Sequence, residues 1–458
     1  MKIKKNPTSF FMIIILLAYS LLSSFSNGKW KSGEILNWDI VGYYHYLPAT
    51  MIYQDLGNMN FLDSIDKNYN LCGGAFSKYG IHKSKETKFS CNQYPCGVAI
   101  FELPLFTIAH VWTTISKQDK NDGYSSPYQH AVAMSSILFV FLGLFILRKF
   151  LSNFFTDFSI AISLLIIYLG TNLFQYTVGN PGMSHPYLFF ITSSILLLTY
   201  KWYNNPKTSY SILIGICIGL AAISRPIDIL IFLIPLLWNN NFSSRNTTKI
   251  KYLLNNKKQI VIVIISTIIT TFPLIFYWKY TTNHWLYYSY TENDYFEFNR
   301  LRIVEGLLSY RKGWFVYSPL LILGFVGMFF IPKKHQLQFY KLPFTVFFIL
   351  IIYLVFSWHN WIYGWGLGCR ALIQTIPLLA IPMCFFTEYI FNKNRLIRIS
   401  YSILLIAFVS FSIFQTWQYN KGIIHGTMMN KKYYWSVFFK TSVTEKDLKI
   451  IQDLEEYN

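Results

Sequence analysis

Ile260-Val-Ile-Val-Ile-Ile-Ser-Thr-Ile-Ile-Thr-Thr-Phe-Pro-Leu-Ile-Phe-Tyr-Trp278 carries no charge, and lysines flank it, Lys257 and Lys258 before and Lys279 after. An unbroken apolar run of this kind matches the roughly 20 residues a helix needs to cross a bilayer. Strands of a membrane barrel would alternate in polarity, and in lipid only helices or closed barrels satisfy every backbone group. The same texture recurs along the chain, at 10–27, 98–116, 128–148, 157–176, 186–203, 210–224, 227–238, 259–278, 314–331, 342–358, 370–386 and 399–417. The expected fold is therefore all-α, a polytopic transmembrane bundle of about 11–12 segments.

Composition agrees. Of 458 residues 53% are hydrophobic and 13% charged, so soluble-type domains are not expected. The net charge of +19 would point to nucleic acid in a soluble protein. Here much of the basic charge sits in short loops between apolar runs, the positive-inside signal of a membrane protein, and nucleic acid is set aside as a partner in favour of membrane lipids. Arg148 and Lys149, Lys201 and Lys207, the stretch 239–258 with Arg245, Lys249, Lys251, Lys257 and Lys258, then Lys333, Lys334 and Lys341, and finally Lys393, Arg395 and Arg398 all read as inner-side groups.

These signs conflict with a simple count of crossings. They agree if 98–116, which contains Glu102, Pro104 and His110, inserts only half-way or lies in the interface. Fusing 210–238 into one span kinked at Pro226 is the second repair. The run 10–25 follows Lys2, Lys4 and Lys5 like a signal peptide, but it is read as an uncleaved first helix, with the N-terminus cytoplasmic. Residues 1–417 then form the bundle, with a first outer loop at 28–97 and a second at 279–312, and 418–458 form a polar C-terminal tail with a short helix at 445–456. Residues 40–56 have the look of an amphipathic stretch lying in the interface. Cys72, Cys91 and Cys96 share the first loop, where they serve as a loop staple or as free thiols. No internal repeat of the kind that builds many transporters is evident.

Ionisable and aromatic residues gather at the outer ends of the apolar runs. Asp39 heads Asp39-Ile-Val-Gly-Tyr43-Tyr44-His45-Tyr46-Leu47-Pro48 after Trp38. A carboxylate in that place either caps a helix or, half-buried among aromatics, acts as a general base. Arg225-Pro226 ends a glycine-rich run holding Gly215 and Gly219, spacing that suits close helix packing. An arginine between two apolar runs either snorkels to the interface or meets an anion. Arg370 follows Trp358-His-Asn-Trp361-Ile-Tyr-Gly-Trp365-Gly-Leu-Gly368 and opens the next helix, a place suited to phosphate beside flat surfaces suited to sugars. Aromatics there also fit an interface belt. The second outer loop holds Glu292, Asp294 and Glu297, then Arg300, Arg302 and Arg311, which either bind a ligand or pair with one another. His185, in the turn Gly179-Asn-Pro-Gly-Met-Ser-His185, is a cap or hydrogen-bond partner, or a sugar or metal contact.

Taken in order, these pieces resemble the GT-C class of polytopic glycosyltransferases, which includes protein O-mannosyltransferases, lipid A aminoarabinose transferases and bacterial lipopolysaccharide sugar transferases. The carriers are Asp39 with Tyr43-Tyr44, Tyr94-Pro-Cys-Gly97 with Pro104, Pro181-Gly-Met-Ser-His185, Gly219 to Arg225-Pro226, Gly306 to Pro319, and Gly366-Leu-Gly-Cys-Arg370. The resemblance implies a polyprenyl-phosphate sugar donor, a lipid, glycan or protein acceptor, Asp39 as base and inversion at the anomeric carbon. It implies a cell-envelope enzyme of the bacterial inner membrane with an outward-facing site. Tyr43, Tyr44, His185, Arg225, Arg300, Arg302, Trp361, Trp365 and Arg370 are its substrate-binding candidates. Protein mannosyltransferases place a glutamate beside the aspartate, where this chain has Ile40. Oligosaccharyltransferases carry an acidic, metal-binding motif in their own second outer loop; the matching turn of this chain, 179–186, offers Asn180 and His185 and no carboxylate, so no metal or other cofactor is expected. A flippase or transporter of lipid-linked sugars is the alternative, and a non-catalytic scaffold for envelope assembly a third reading.

Overall fold

The computed structural model describes residues 7–32, 34–74, 79–238, 248–290 and 294–455. Lys2, Lys4, Lys5, Arg245 and Glu292 lie outside the described residues. The fold is all-α apart from one antiparallel ribbon that pairs Ile81–Lys83 with Ser90–Asn92. Among the described residues seven helices are long and apolar enough to cross a membrane, including Thr8–Ser26, Gly97–Ser116, Ser126–Leu151, Lys257–Thr282 and Arg395–Asn420. Asp157–Leu169, Thr208–Ser224, Pro226–Leu237 and Pro319–Phe330 are shorter apolar helical stretches. The chain divides into two compact units, one of residues 1–16, 147–176 and 294–458, the other of residues 17–146 and 177–293.

In the second of these units, residues 97–116 form one continuous helix of 20 residues that runs through Pro104, long and apolar enough to cross a membrane. Glu102 on that helix is 1% exposed and accepts a 3.1 Å hydrogen bond from the Tyr187 hydroxyl, so its polarity is turned into the protein. Residues 40–56 do not form an interfacial amphipathic helix. They make two short helices, Trp38–Tyr44 and Tyr46–Met51, whose Ile40, Val41, Tyr43, Tyr44, Tyr46 and Leu47 are all buried. A loop that looked surface-bound is thus a packed layer.

The glycine spacing read from the sequence does bring helices together. A Cβ on Gly215 would collide with the Val263 carbonyl and Ser266, and one on Gly219 with Thr270, so Thr208–Ser224 lies backbone-close along Lys257–Thr282. Without an apolar driving force between helices in lipid, such close van der Waals contact is what holds them. Helix Thr208–Ser224 then stops at Arg225, whose backbone is extended, and a 3-10 turn Pro226–Phe232 follows. Pro226 cannot supply the N–H that would continue the helix, so 210–238 is broken and not one kinked span.

In the other unit, Asp157 caps the first helix from a distance. Its Oδ2 accepts from the Ser9 N–H at 2.7 Å, its Oδ1 accepts from the Ser9 hydroxyl, and Arg148 pairs with it at 3.3 Å. The last long helix, Arg395–Asn420, is followed by short helices Lys431–Ser436 and Glu445–Glu455. The residues after 417 are not merely polar. Tyr419, Ile423, Ile424, Met429, Tyr433, Tyr434 and Val437 build an apolar cluster with Tyr317 and Leu367.

Candidate functional site

Asp39 sits in the first turn of Trp38–Tyr44 and is half-buried. Its Oδ1 accepts two hydrogen bonds, from the Tyr79 hydroxyl at 2.6 Å and from the Tyr94 hydroxyl at 2.8 Å, and the two phenol oxygens lie 3.1 Å apart. Two O–H donors on one carboxylate oxygen orient the group and stabilise its ionised form. Burial, with Asp39 and Tyr79 as neighbours, pushes the Tyr94 phenol well above its ordinary value, so it stays protonated and keeps donating. The preceding residue, Trp38, has φ +45, and its N–H donates to Cys72 Sγ at 2.8 Å. A non-glycine residue in the left-handed region is uncommon and is held there by its surroundings.

Tyr43 is buried with its ring 4.9 Å from that of Tyr94, behind the carboxylate. Tyr44 is wholly buried and donates to the Gly123 carbonyl, so it packs the unit's interior and presents no surface to a ligand. His185, the second residue of helix Ser184–Asn204, is likewise buried and offers little surface to a sugar. Tyr79, which the sequence reading missed, carries no signal of its own: it is one of 34 tyrosines.

Arg225 belongs to the same end of this unit. A Cβ on Gly97 would collide with the Ser224 N and Oγ atoms, so the start of Gly97–Ser116, three residues after Tyr94, lies against the residue before Arg225. The Arg225 side chain is mostly buried and faces Asp228, Nε to Oδ2 3.9 Å, with Asp228 2% exposed. Asp228, also missed, is an acid at the edge of an apolar run whose partner is one helical turn away.

In the other unit, the aromatic stretch before Arg370 folds as a tight loop with Tyr363, Gly364 and Gly368 all at positive φ. Arg370 starts a 3-10 turn, Arg370–Thr375, and its Nη1 donates to the Trp365 carbonyl at 3.4 Å. Lys312, not foreseen from the sequence, is buried there and donates to the carbonyls of Gly366, at 2.6 Å, and Gly426. Burial, with Arg370 and Arg311 nearby, holds its amine well below the ordinary lysine value. Arg311 Nε donates to the Thr427 carbonyl at 2.7 Å. Trp361 is half-buried and Trp365 exposed. Arg302 is drawn into a pair with Glu305 at 3.2 Å, and Arg300 is exposed. Asp294 likewise faces His359 at 3.9 Å. All six cysteines are free thiols and no disulfide staples the first loop; burial raises Cys72 and Cys91 to about 11 and Cys96 to about 12.

No family model matches the sequence, and neither does any curated protein. Two solved structures do match in fold. The apo crystal structure of the Archaeoglobus fulgidus oligosaccharyltransferase aligns with TM-score 0.54 at 12% identity, over 99% of this chain and 60% of that one. The chain has the fold of that oligosaccharyltransferase. The structure of AglB from Archaeoglobus fulgidus, an archaeal oligosaccharyltransferase in complex with an inhibitory peptide and a dolichol-phosphate, aligns with TM-score 0.51 at 13% identity, over 98% and 59%. This chain therefore spans about 60% of the length of these neighbours. The GT-C resemblance read from motif order is met at the level of the fold.

Proposed function

We propose that the protein is a membrane glycosyltransferase that moves a sugar from a polyprenyl-phosphate donor to an acceptor hydroxyl at the outer face of the membrane. The observation that carries this reading is the carboxylate of Asp39, held by Tyr79 and Tyr94 in the first loop of an oligosaccharyltransferase-like fold. In this reading Asp39 takes the acceptor proton as the acceptor oxygen attacks the anomeric carbon. The bond from that carbon to the phosphate oxygen breaks, the polyprenyl phosphate leaves with the electron pair, and the anomeric configuration inverts. General-base help of this kind contributes about 10²–10⁴-fold.

The departing phosphate needs preorganised positive charge, usually the largest catalytic contribution. Arg225, in the unit that holds Asp39, and Arg370, beside Lys312 in the other, are the proposed sources, each to be tested by itself. Trp361 and Trp365 are proposed to frame the sugar. Both phenols point O–H groups at Asp39 Oδ1, protons where a cation on that oxygen would sit. The reaction is proposed without a metal.

The test is sugar transfer in membranes supplied with pooled polyprenyl-phosphate sugars, comparing wild type with Asp39→Asn at matched expression. Product from wild type with at least a hundredfold loss in the variant supports Asp39 as base. Equal product from both removes that role while keeping the transferase. Absence of product from both across lipid, glycan and peptide acceptors argues against the transferase itself.

A further inference from the structure

Trp365 is 58% exposed, yet its position is determined from several sides. A Cβ on Gly426 would collide with the indole at Cδ2, Cε2 and Nε1, so the Gly426 backbone lies directly against that ring. His425 meets the same ring edge-on, centroids 4.4 Å apart and planes at 62°. Gly426 is itself tied down: its carbonyl accepts from the Gly366 N–H at 3.2 Å and from the Lys312 amine, which also donates to the Gly366 carbonyl. The turn that carries His425 closes on its own side chain, because Nδ1 accepts from the Met428 N–H at 2.9 Å and the Thr427 N–H at 3.2 Å.

An exposed indole normally samples several rotamers and loses that freedom when a ligand binds. Here the ordering is already done by packing, which is what a preorganised recognition surface needs. The negative face of an aromatic ring attracts the polarised C–H edges of a sugar, and the guanidinium of Arg370 reaches the Trp365 carbonyl, placing positive charge beside the platform.

We propose that Trp365 is a fixed stacking platform for a sugar ring, and that the segment after the last long helix, through His425 and Gly426, is the part of the chain that sets it. His425 is a positioning residue in this arrangement. The inference rests on the glycosyltransferase reading for the kind of ligand. The ring bound belongs either to the lipid-linked donor or to a sugar acceptor.

The test uses the full chain labelled with 5-fluorotryptophan in lipid nanodiscs, with the Trp365 fluorine resonance identified by its absence in Trp365→Phe. One arm titrates polyprenyl phosphates bearing mannose, glucose, galactose or 4-amino-4-deoxyarabinose, with sugar-free polyprenyl phosphate as control. The other titrates the methyl glycosides of the same sugars. A saturable shift of the Trp365 resonance in the first arm only assigns the platform to the donor; a shift in the second arm assigns it to the acceptor. His425→Ala should weaken the response about fivefold, the scale of one lost positioning contact. His425→Asn, whose Oδ1 can accept the same two backbone N–H groups, should keep the turn, lose the ring contact and fall between. No shift with any sugar, or an equal shift with sugar-free polyprenyl phosphate, overturns the proposal and leaves Trp365 as an interface-belt residue. Asp39→Asn, run in parallel, separates the two ideas. It should lose transfer and keep the Trp365 shift, whereas normal transfer by that variant would remove the base and leave the platform to be judged by the resonance alone.

Discussion

Tyr79 donates a 2.6 Å hydrogen bond to Asp39 from 40 residues away in sequence, onto the same oxygen that Tyr94 reaches. The carboxylate is thereby aimed by two phenols and kept in a form that can take a proton.

Removing either phenol hydroxyl should change how the site responds to acid. Hydrogen bonds to an ionised carboxylate favour that form, so losing one makes the group bind protons at higher pH. Tyr79→Phe and Tyr94→Phe should each move the acid limb of the transfer rate upward. An unmoved acid limb with a reduced rate throughout would mean the tyrosines serve packing alone.

Asp228 is 2% exposed and faces Arg225. Breaking such a buried pair from one side costs about 3–5 kcal/mol, while replacing both members by apolar groups is often tolerated. Asp228→Asn should lower the thermal midpoint of the detergent-solubilised protein by several degrees. Arg225→Met with Asp228→Leu should recover most of it, yet lose transfer if Arg225 meets the phosphate. Recovery of both stability and transfer would take Arg225 out of the site.

Lys312 gives a pH dependence of definite sign. Its amine is held well below the ordinary lysine value by burial and by Arg370 and Arg311. Between the folded value and the unfolded value the unfolded chain binds the extra proton, so stability rises with pH through that window and levels off above it. The thermal midpoint of wild type relative to Lys312→Met should therefore increase from pH 7 toward pH 10. Lys312→Met should be less stable throughout, because the Gly366 and Gly426 carbonyls lose their donor. A difference that stays flat with pH would show that the lysine remains charged.

Gly215 allows no side chain: a Cβ would meet the Val263 carbonyl and Ser266. Gly215→Leu should push Thr208–Ser224 away from Lys257–Thr282 and cost about 1–3 kcal/mol, as overpacking does. Unchanged thermal stability, or an unchanged rate of cysteine cross-linking between the two helices, would contradict that packing.

The sequence by itself determined the class of fold, because a chain that spans lipid must satisfy its backbone locally and so writes its helices as long apolar runs such as 260–278. It also singled out Asp39, Arg225 and Arg370 as candidates, since ionisable groups stand out at the ends of such runs, and it marked Gly215 and Gly219 as contact points. Only the tertiary structure decided that residues 40–56 pack inward, that Glu102 turns toward Tyr187, and that Tyr79 meets Asp39, Asp228 meets Arg225, Lys312 meets the Gly366 carbonyl and His425 meets Trp365. These partners are joined by hydrogen bonds, charge pairing and ring contact. Several of those links cross long stretches of chain, Lys312 to Gly426 among them, and leave no trace in local periodicity. A buried lysine before an apolar run has the same letters as a solvated one. The carbonyls it satisfies are brought to it by the folding of the whole unit.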